Sequence, residues 1–208
     1  MNSGGALGKG VGPLLIAAAP LNITDLNNKK IGIPGENTTA HMLFSLAFPG
    51  AANKVFKVFN EIEDAVLRNG VTAGVIIHEN RFTYQLKGLH KLMDLGEYWE
   101  QTTGLPIPLG GIVAKRGIDK SIIKAVDDLI KQSVEYAYQH HYDELADYVK
   151  EHAQEMNETV MRQHINLYVN NYSAELGEAG KTAVLKLLEV YQQLHPEVNI
   201  SSEEVFVE

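Results

Sequence analysis

The chain has no cysteine and a single tryptophan in 208 residues, and its bases are outnumbered by its acids, 18 to 26. Each shortage removes a class of function. Without thiols there is no disulfide framework, thiolate nucleophile, cysteine zinc site or iron–sulfur cluster. The formal net charge is −8, and Lys and Arg are scattered among acids, which argues against the clustered positive surface that nucleic-acid binding needs. The apolar run Leu14 to Ala19 is too short to span a bilayer. No cationic region leading into an apolar core and a small-residue cleavage site marks a secretory leader, so a cytoplasmic protein without membrane attachment is expected. What is present suffices for folding: 45% of residues are hydrophobic and 21% charged, and a chain of this size buries roughly 70% of its unfolded surface.

The first two thirds alternate short apolar runs with amphipathic stretches. Strands are predicted over Pro13 to Ala19, Lys30 to Ile33, Lys54 to Phe59, Thr72 to Ile77, Leu89 to Leu95 and Pro106 to Ala114. Between them, a helix capped by Asn37 or Thr38 runs to Pro49-Gly50, a second covers Glu61 to Arg68 before Asn69-Gly70, and a short third passes through Trp99. Strand, helix and strand in short succession imply parallel pairing through crossovers. From Asp119 onward the pattern is helical, with three-to-four spacing over Asp119 to Gln139, Tyr142 to Ala153, Glu158 to Tyr168 and Glu178 to Leu194. The tail after His195 reads as a loop with an edge strand. The fold class is therefore α/β with a helical C-terminal half.

Most motifs fail on inspection. The glycine-rich opening Ser3 to Pro13 reads like an internal loop, but a dinucleotide fingerprint from Gly8 would need glycine where Pro13 stands. A phosphate loop ending at Gly8-Lys9 meets Ser3 and Gly10 at the required positions, and Glu175 to Thr182 has Glu175 in place of the first glycine. His140 and His141 diverge by roughly a hundred degrees on a helix, so only one of them could share a face with Glu144. His152 and His164 add no third ligand, and no metal is expected. Ser45 and Ser173 lack the Gly-x-Ser-x-Gly elbow of a serine hydrolase.

Two places remain. Pro34 to Ala40 (PGENTTA) carries a strand end, a glycine turn and a helix start with two hydroxyls. Such a start offers unpaired amides and a positive dipole to a carboxylate or phosphate, although plain capping by Asn37 or Thr38 accounts for the same residues. Ala73 to Glu79 (AGVIIHE) ends an apolar strand in a histidine, and the carboxyl ends of parallel strands line ligand crevices. His78 is the best general base in the chain by its titration range, with a structural histidine as the open alternative. Glu79 faces the opposite side of an extended chain and stays out of the site.

The segments SGGALGKGVGPL (Ser3 to Leu14), IPGENTTAHMLFSL (Ile33 to Leu46), AGVIIHENRFTY (Ala73 to Tyr84), DLGEYWEQTTGLPIPLGGIVAKR (Asp94 to Arg116) and HINLYVNNYS (His164 to Ser173) together resemble the 1,4-dihydroxy-6-naphthoate synthases of menaquinone biosynthesis by the futalosine route. The resemblance runs essentially the whole length. It implies a fold like the type II periplasmic binding proteins, two lobes around a cleft, with lobe two over 20–111 and lobe one from 1–19 and 112–208. It implies a lyase that releases 1,4-dihydroxy-6-naphthoate from cyclic dehypoxanthinyl futalosine with neither metal nor organic cofactor. By the same resemblance His78 is the base, and Thr38 and Thr39 lie in a ligand-contacting region. Asn37 stands where many members have histidine, and no role is carried to it.

Family members also have a substantial segment before their counterpart of SGGALGKG. Lobe one is accordingly expected to be incomplete, with uncovered apolar helix faces through which the chain could self-associate. A non-catalytic solute-binding protein and the related chorismate dehydratase are the competing readings. The missing secretory leader speaks against the first and the IIHE-x-RFTY segment against the second.

Overall fold

The computed structural model describes residues 1–78, 80–141, 145, 147–152, 157–199 and 205–207. In chain order the elements are β1 (Ala6–Gly8), β2 (Leu14–Ala17), β3 (Ile31–Ile33), α1 (Thr39–Ala47), β4 (Lys54–Phe56), α2 (Ile62–Leu67), β5 (Ala73–Ile76), α3 (Asn80–Thr83), β6 (His90–Asp94), α4 (Leu95–Thr103) and β7 (Ile107–Gly110). The C-terminal helices are α5 (Lys120–His141), α6 (Asp147–His152), α7 (Glu158–Tyr168), α8 (Asn171–Ala174) and α9 (Gly177–Leu194). Of the expected helix over Tyr142 to Ala153 the described residues show α6, and the described residues of the tail, 196–199 and 205–207, hold no strand, while 200–204 lie outside them. None of the described helices is long and apolar enough to cross a membrane.

The chain divides into two compact units, one of Lys9–Gly104 and one of Met1–Gly8 with Leu105–Glu208. These limits differ from 19/20 and 111/112 at both boundaries: Leu14–Ala17 is an interior strand of the 9–104 unit's sheet, and Ile107–Gly110 pairs with Ala6–Gly8 in the other unit.

The 9–104 unit is built on a five-stranded sheet ordered β4-β3-β5-β2-β6. Its three inner strands, IGI, AGVI and LLIA, are buried throughout, as continuous apolar runs covered on both faces should be. The outer strands KVF and HKLMD carry Lys54, His90 and Lys91, charges that suit exposed edges. β3 pairs parallel with β4 and with β5, as the intervening helices α1 and α2 require. The expectation of parallel pairing fails at β2, which runs antiparallel to both β5 and β6. The connection from β2 to β3 holds only a 3-10 turn over Ile23–Asn28, capped by Asn22, and a strand that reverses direction needs no crossover helix.

The other unit has the two-stranded antiparallel ladder β1·β7 and the five C-terminal helices. Leu7 packs with Leu176 and Ala183, and Leu105, Tyr172 and Phe206 close over them. The buried Asp127 of α5 accepts hydrogen bonds from the Asn2 and Ser3 amides, both at 2.9 Å, which ties the opening segment to that helix. Along α5, Ile122, Val126, Leu129 and Tyr136 stand exposed at spacings of three, four and seven, with Leu129 at 62%.

The glycine-rich opening is a packing device. A Cβ on Gly12 would stand 2.2 Å from the Cα of Gly96 and 2.5 Å from its amide nitrogen, so the backbone entering β2 lies directly on the start of α4. Gly4 has φ +78° and would drive a Cβ to 2.5 Å from Ile112 Cδ1. The expected outcome for Gly12→Ala is a fall in the urea midpoint equivalent to about 2 kcal/mol or more. Gly111→Ala, whose Cβ meets nothing within 4 Å, should stay within about 0.5 kcal/mol of the parent. Equal midpoints for the two variants would contradict this packing.

Candidate functional site

The sheet of the 9–104 unit brings several chain reversals to one edge. β3, β4 and β5 run the same way, so Ile33, Phe56 and Ile76 all end there. β2 runs the opposite way, and its first residue Leu14, paired with both Ile76 and Asp94, begins there. The residues flanking the strands at this edge form the candidate site: Thr38 and Thr39 after β3, Phe59 after β4, His78 after β5, Gly12 before β2 and Asp94 at the end of β6.

Past β3 the chain turns at Gly35, with φ +136°, and enters α1. Thr38 caps the helix: its hydroxyl donates to the Gly35 carbonyl at 2.8 Å and accepts from the His41 amide at 3.1 Å. Its carbonyl takes the Met42 amide. The first helical amides, Thr39 and Ala40, precede the first intrahelical bonds and lie at the positive end of the helix dipole. Of the two expected caps, Asn37 and Thr38, it is Thr38 that caps α1, while Thr39 sits half-buried on the first turn.

His41 ties the turn to the helix. Its Nδ1 donates to the Glu36 carbonyl at 2.7 Å, and Nε2 faces Lys54 Nζ at 3.1 Å. Lys54 also donates to Ser45 Oγ at 2.7 Å, and burial pushes its ammonium below the usual lysine range. Nothing in the sequence singled out this cluster, since a histidine inside a helix has many ordinary uses.

Past β5, His78 adopts the left-handed conformation with φ +55°. Its side chain is exposed, and the Phe59 ring meets the imidazole edge to face with centroids 5.3 Å apart. α3 begins two residues later, and the Arg81 amide donates back to the His78 carbonyl at 3.2 Å. The Arg81 guanidinium donates from Nη1 to the Gly12 carbonyl and from Nη2 to Asp94 Oδ2 at 2.7 Å. Asp94 Oδ1 caps α4 through the Gly96 and Glu97 amides at 2.9 and 3.1 Å. Glu63 of α2, 1% exposed, accepts on Oε2 from Lys87 Nζ at 2.6 Å and from Asn80 Nδ2. Glu79 lies outside the described residues.

The alternatives weighed from sequence find structural employment. Ser45 Oγ donates to the His41 carbonyl at 2.8 Å, and Ser173 shares a capping box with Asn170. Gly177 opens α9, so the phosphate-loop near-miss lies largely inside a helix, where Thr182 bonds the Glu178 carbonyl. His140 stacks on Tyr136 and bonds its carbonyl, and His152 does the same with Tyr148. Glu144 is outside the described residues, and among those described no three His, Cys, Asp or Glu side chains are grouped to hold a metal ion.

A family model described as menaquinone biosynthesis matches residues 1–193. The chain belongs to this family. A Thermus thermophilus protein named "1,4-dihydroxy-6-naphtoate synthase" is 43% identical over 187 residues, covering 90% of this chain and 67% of that protein. A Streptomyces coelicolor protein of the same name is 45% identical over 190 residues, covering 89% and 66%. The chain thus spans about two thirds of the length of these relatives. A solved Archaeoglobus fulgidus structure covers 95% of this chain and 73% of its own at TM-score 0.86 and 28% identity. The ligand-binding component of an ABC-type import system from Staphylococcus aureus covers 100% of this chain and 71% of its own at TM-score 0.60 and 11% identity. The periplasmic aliphatic sulphonate binding protein of Escherichia coli covers 100% and 73% at TM-score 0.54 and 14% identity. The menaquinone-biosynthesis chain accordingly has the periplasmic-binding-protein-like α/β fold expected of it.

Within this family member, the cap geometry separates two adjacent threonines. Thr38→Ala should cost about 1 kcal/mol of stability and Thr39→Ala less than about 0.5 kcal/mol, read from urea unfolding. Equal losses at the two positions would contradict the capping arrangement.

Proposed function

We propose that this chain acts as a 1,4-dihydroxy-6-naphthoate synthase, a carbon–carbon lyase on cyclic dehypoxanthinyl futalosine, with His78 as general base. The observation that supports it most is the identity of 43% and 45% to two curated relatives of that name. The geometry adds a chemical reason. His78 is an exposed imidazole at the end of a buried strand, within reach of solvent-borne substrate and steadied by Phe59.

In its neutral form the imidazole removes a proton from the carbon next to a carbonyl-derived carbon of the substrate. The electron pair left behind becomes a ring double bond as the neighbouring carbon–carbon bond breaks; the pair of the broken bond leaves on the sugar-bearing fragment, which takes up a proton, and the ring becomes aromatic as the naphthoate. Thr39 and the Thr39 and Ala40 amides supply donors for a carboxylate or other polar group of the substrate, with Thr38 holding the turn in shape. The protein works in the cytoplasm on a small molecule, and the reaction uses neither a metal nor an organic cofactor.

The test replaces His78 with Asn, a residue that tolerates the left-handed backbone, and follows product by chromatography after incubation with the cyclic futalosine. General-base catalysis contributes about 10²–10⁴-fold, so turnover should fall at least about 10²-fold. Undiminished turnover in a folded His78→Asn variant would overturn the assignment. Substrate binding by the parent without product would favour the solute-binding reading, and turnover of chorismate instead would favour the dehydratase.

A further inference from the structure

We infer that Arg81 is a positioning residue for His78, acting through a paired grip on Gly12 and Asp94. The inference rests on the proposed role of His78 and adds the group that holds it in place.

His78 needs holding, because its φ of +55° lies where a side chain other than glycine is rarely found. Such a conformation persists only when its surroundings over-determine it. Phe59 restrains the ring from one side, but the backbone reversal itself is set by the first turn of α3. There the Arg81 amide closes onto the His78 carbonyl at 3.2 Å. The Arg81 side chain then reaches two partners distant in sequence, the Gly12 carbonyl and Asp94 Oδ2, in the planar fork that guanidinium offers and ammonium does not.

Both partners are themselves tied to α4. Gly12 has its backbone against Gly96, and Asp94 is committed through Oδ1 to the α4 cap. The pair is well shielded, with side-chain exposures of 16% for Arg81 and 7% for Asp94. Asn80 and Lys87 fasten the same segment to the buried Glu63. Asn80, Arg81 and Lys87 are therefore held by two carboxylates from outside the segment, and Arg81 is the one of the three whose amide also bonds the His78 carbonyl. Nη1 and Nη2 are both bonded to protein, so Arg81 acts on the site through these contacts.

The experiment uses the full chain with Arg81→Lys and, as a second variant that keeps the α4 cap acceptor, Asp94→Asn. Histidine ring resonances are recorded across a pH titration, alongside urea unfolding. The expected result is a displaced or broadened His78 signal in both variants, with the signals of His140, His152 and His195 unmoved. His78 resonances identical to the parent in Arg81→Lys would overturn the inference. So would a general change across all histidines with a collapsed urea midpoint in both variants, the mark of a merely structural residue. In turnover, kcat should fall about 10²-fold, as about an ångström of misplacement can cost, while KM changes little; an unchanged kcat would overturn it as well. The ring signals decide this claim independently of catalysis. Undiminished turnover in His78→Asn would remove the base assignment while leaving the Arg81 result to stand on the spectra.

Discussion

The site depends on one close approach, the seating of Ile62 on the paired glycines of β3 and β5. Gly32 and Gly74 stand opposite each other in the parallel ladder. A Cβ on Gly74 would lie 2.5 Å from Ile62 Cγ2, and one on Gly32 3.2 Å from Ile62 Cδ1. α2 can therefore lie flat against the two strands whose ends carry Thr38 and His78. Ile62 is fully buried, and a buried side chain of that size is worth about 2–5 kcal/mol against truncation. Without this contact the register that puts β3 and β5 at one edge would lose its main support from that face of the sheet.

Around that apolar base, charge does the fastening. Buried carboxylates are costly unless paired, and this unit keeps two of them. Asp94 is met by Arg81 and by two amides of α4, and Glu63 by Lys87 and Asn80. Glu63 Oε1 is buried with no partner among the described residues, so that carboxylate is only half satisfied. The two pairs tether Asn80, Arg81 and Lys87, in the segment that follows His78. A layer of packed strands sets the edge, and ionic ties from α2 and β6 set the conformation of the residue presented there.

Much of this was legible in the residues. Buried runs such as LLIA and AGVI read as strands because they lack any polar alternation, and Thr38 read as a cap because it precedes the apolar spacing of α1. The strand ends singled out Thr38 and Thr39 in one place and His78 in another, and the parallel pairing of β3 with β5 puts the two at the same edge. The direction of β2 was not legible, since four apolar residues look the same run either way. Nor was β1, three residues among glycines that become a strand only by pairing with Pro108 and Gly110. Arg81 was overlooked because its partners lie 69 and 13 residues away, and no local pattern announces a bond to the Gly12 carbonyl. The unit limits at 8/9 and 104/105 likewise follow pairings that composition does not show, β1 with β7 on one side and β2 with β5 and β6 on the other.

The central claim is that one sheet edge of the 9–104 unit is where the small molecule is handled. Titrating the isotopically labelled chain with 1,4-dihydroxy-6-naphthoate, the proposed product, and following backbone amide shifts tests it most directly. The account expects the largest saturable shifts at Gly12, Thr39, Ala40 and His78, with those of α7 and α9 small. Saturable shifts confined to the helices of the other unit, with the amides of Thr39, Ala40 and His78 unmoved, would contradict it.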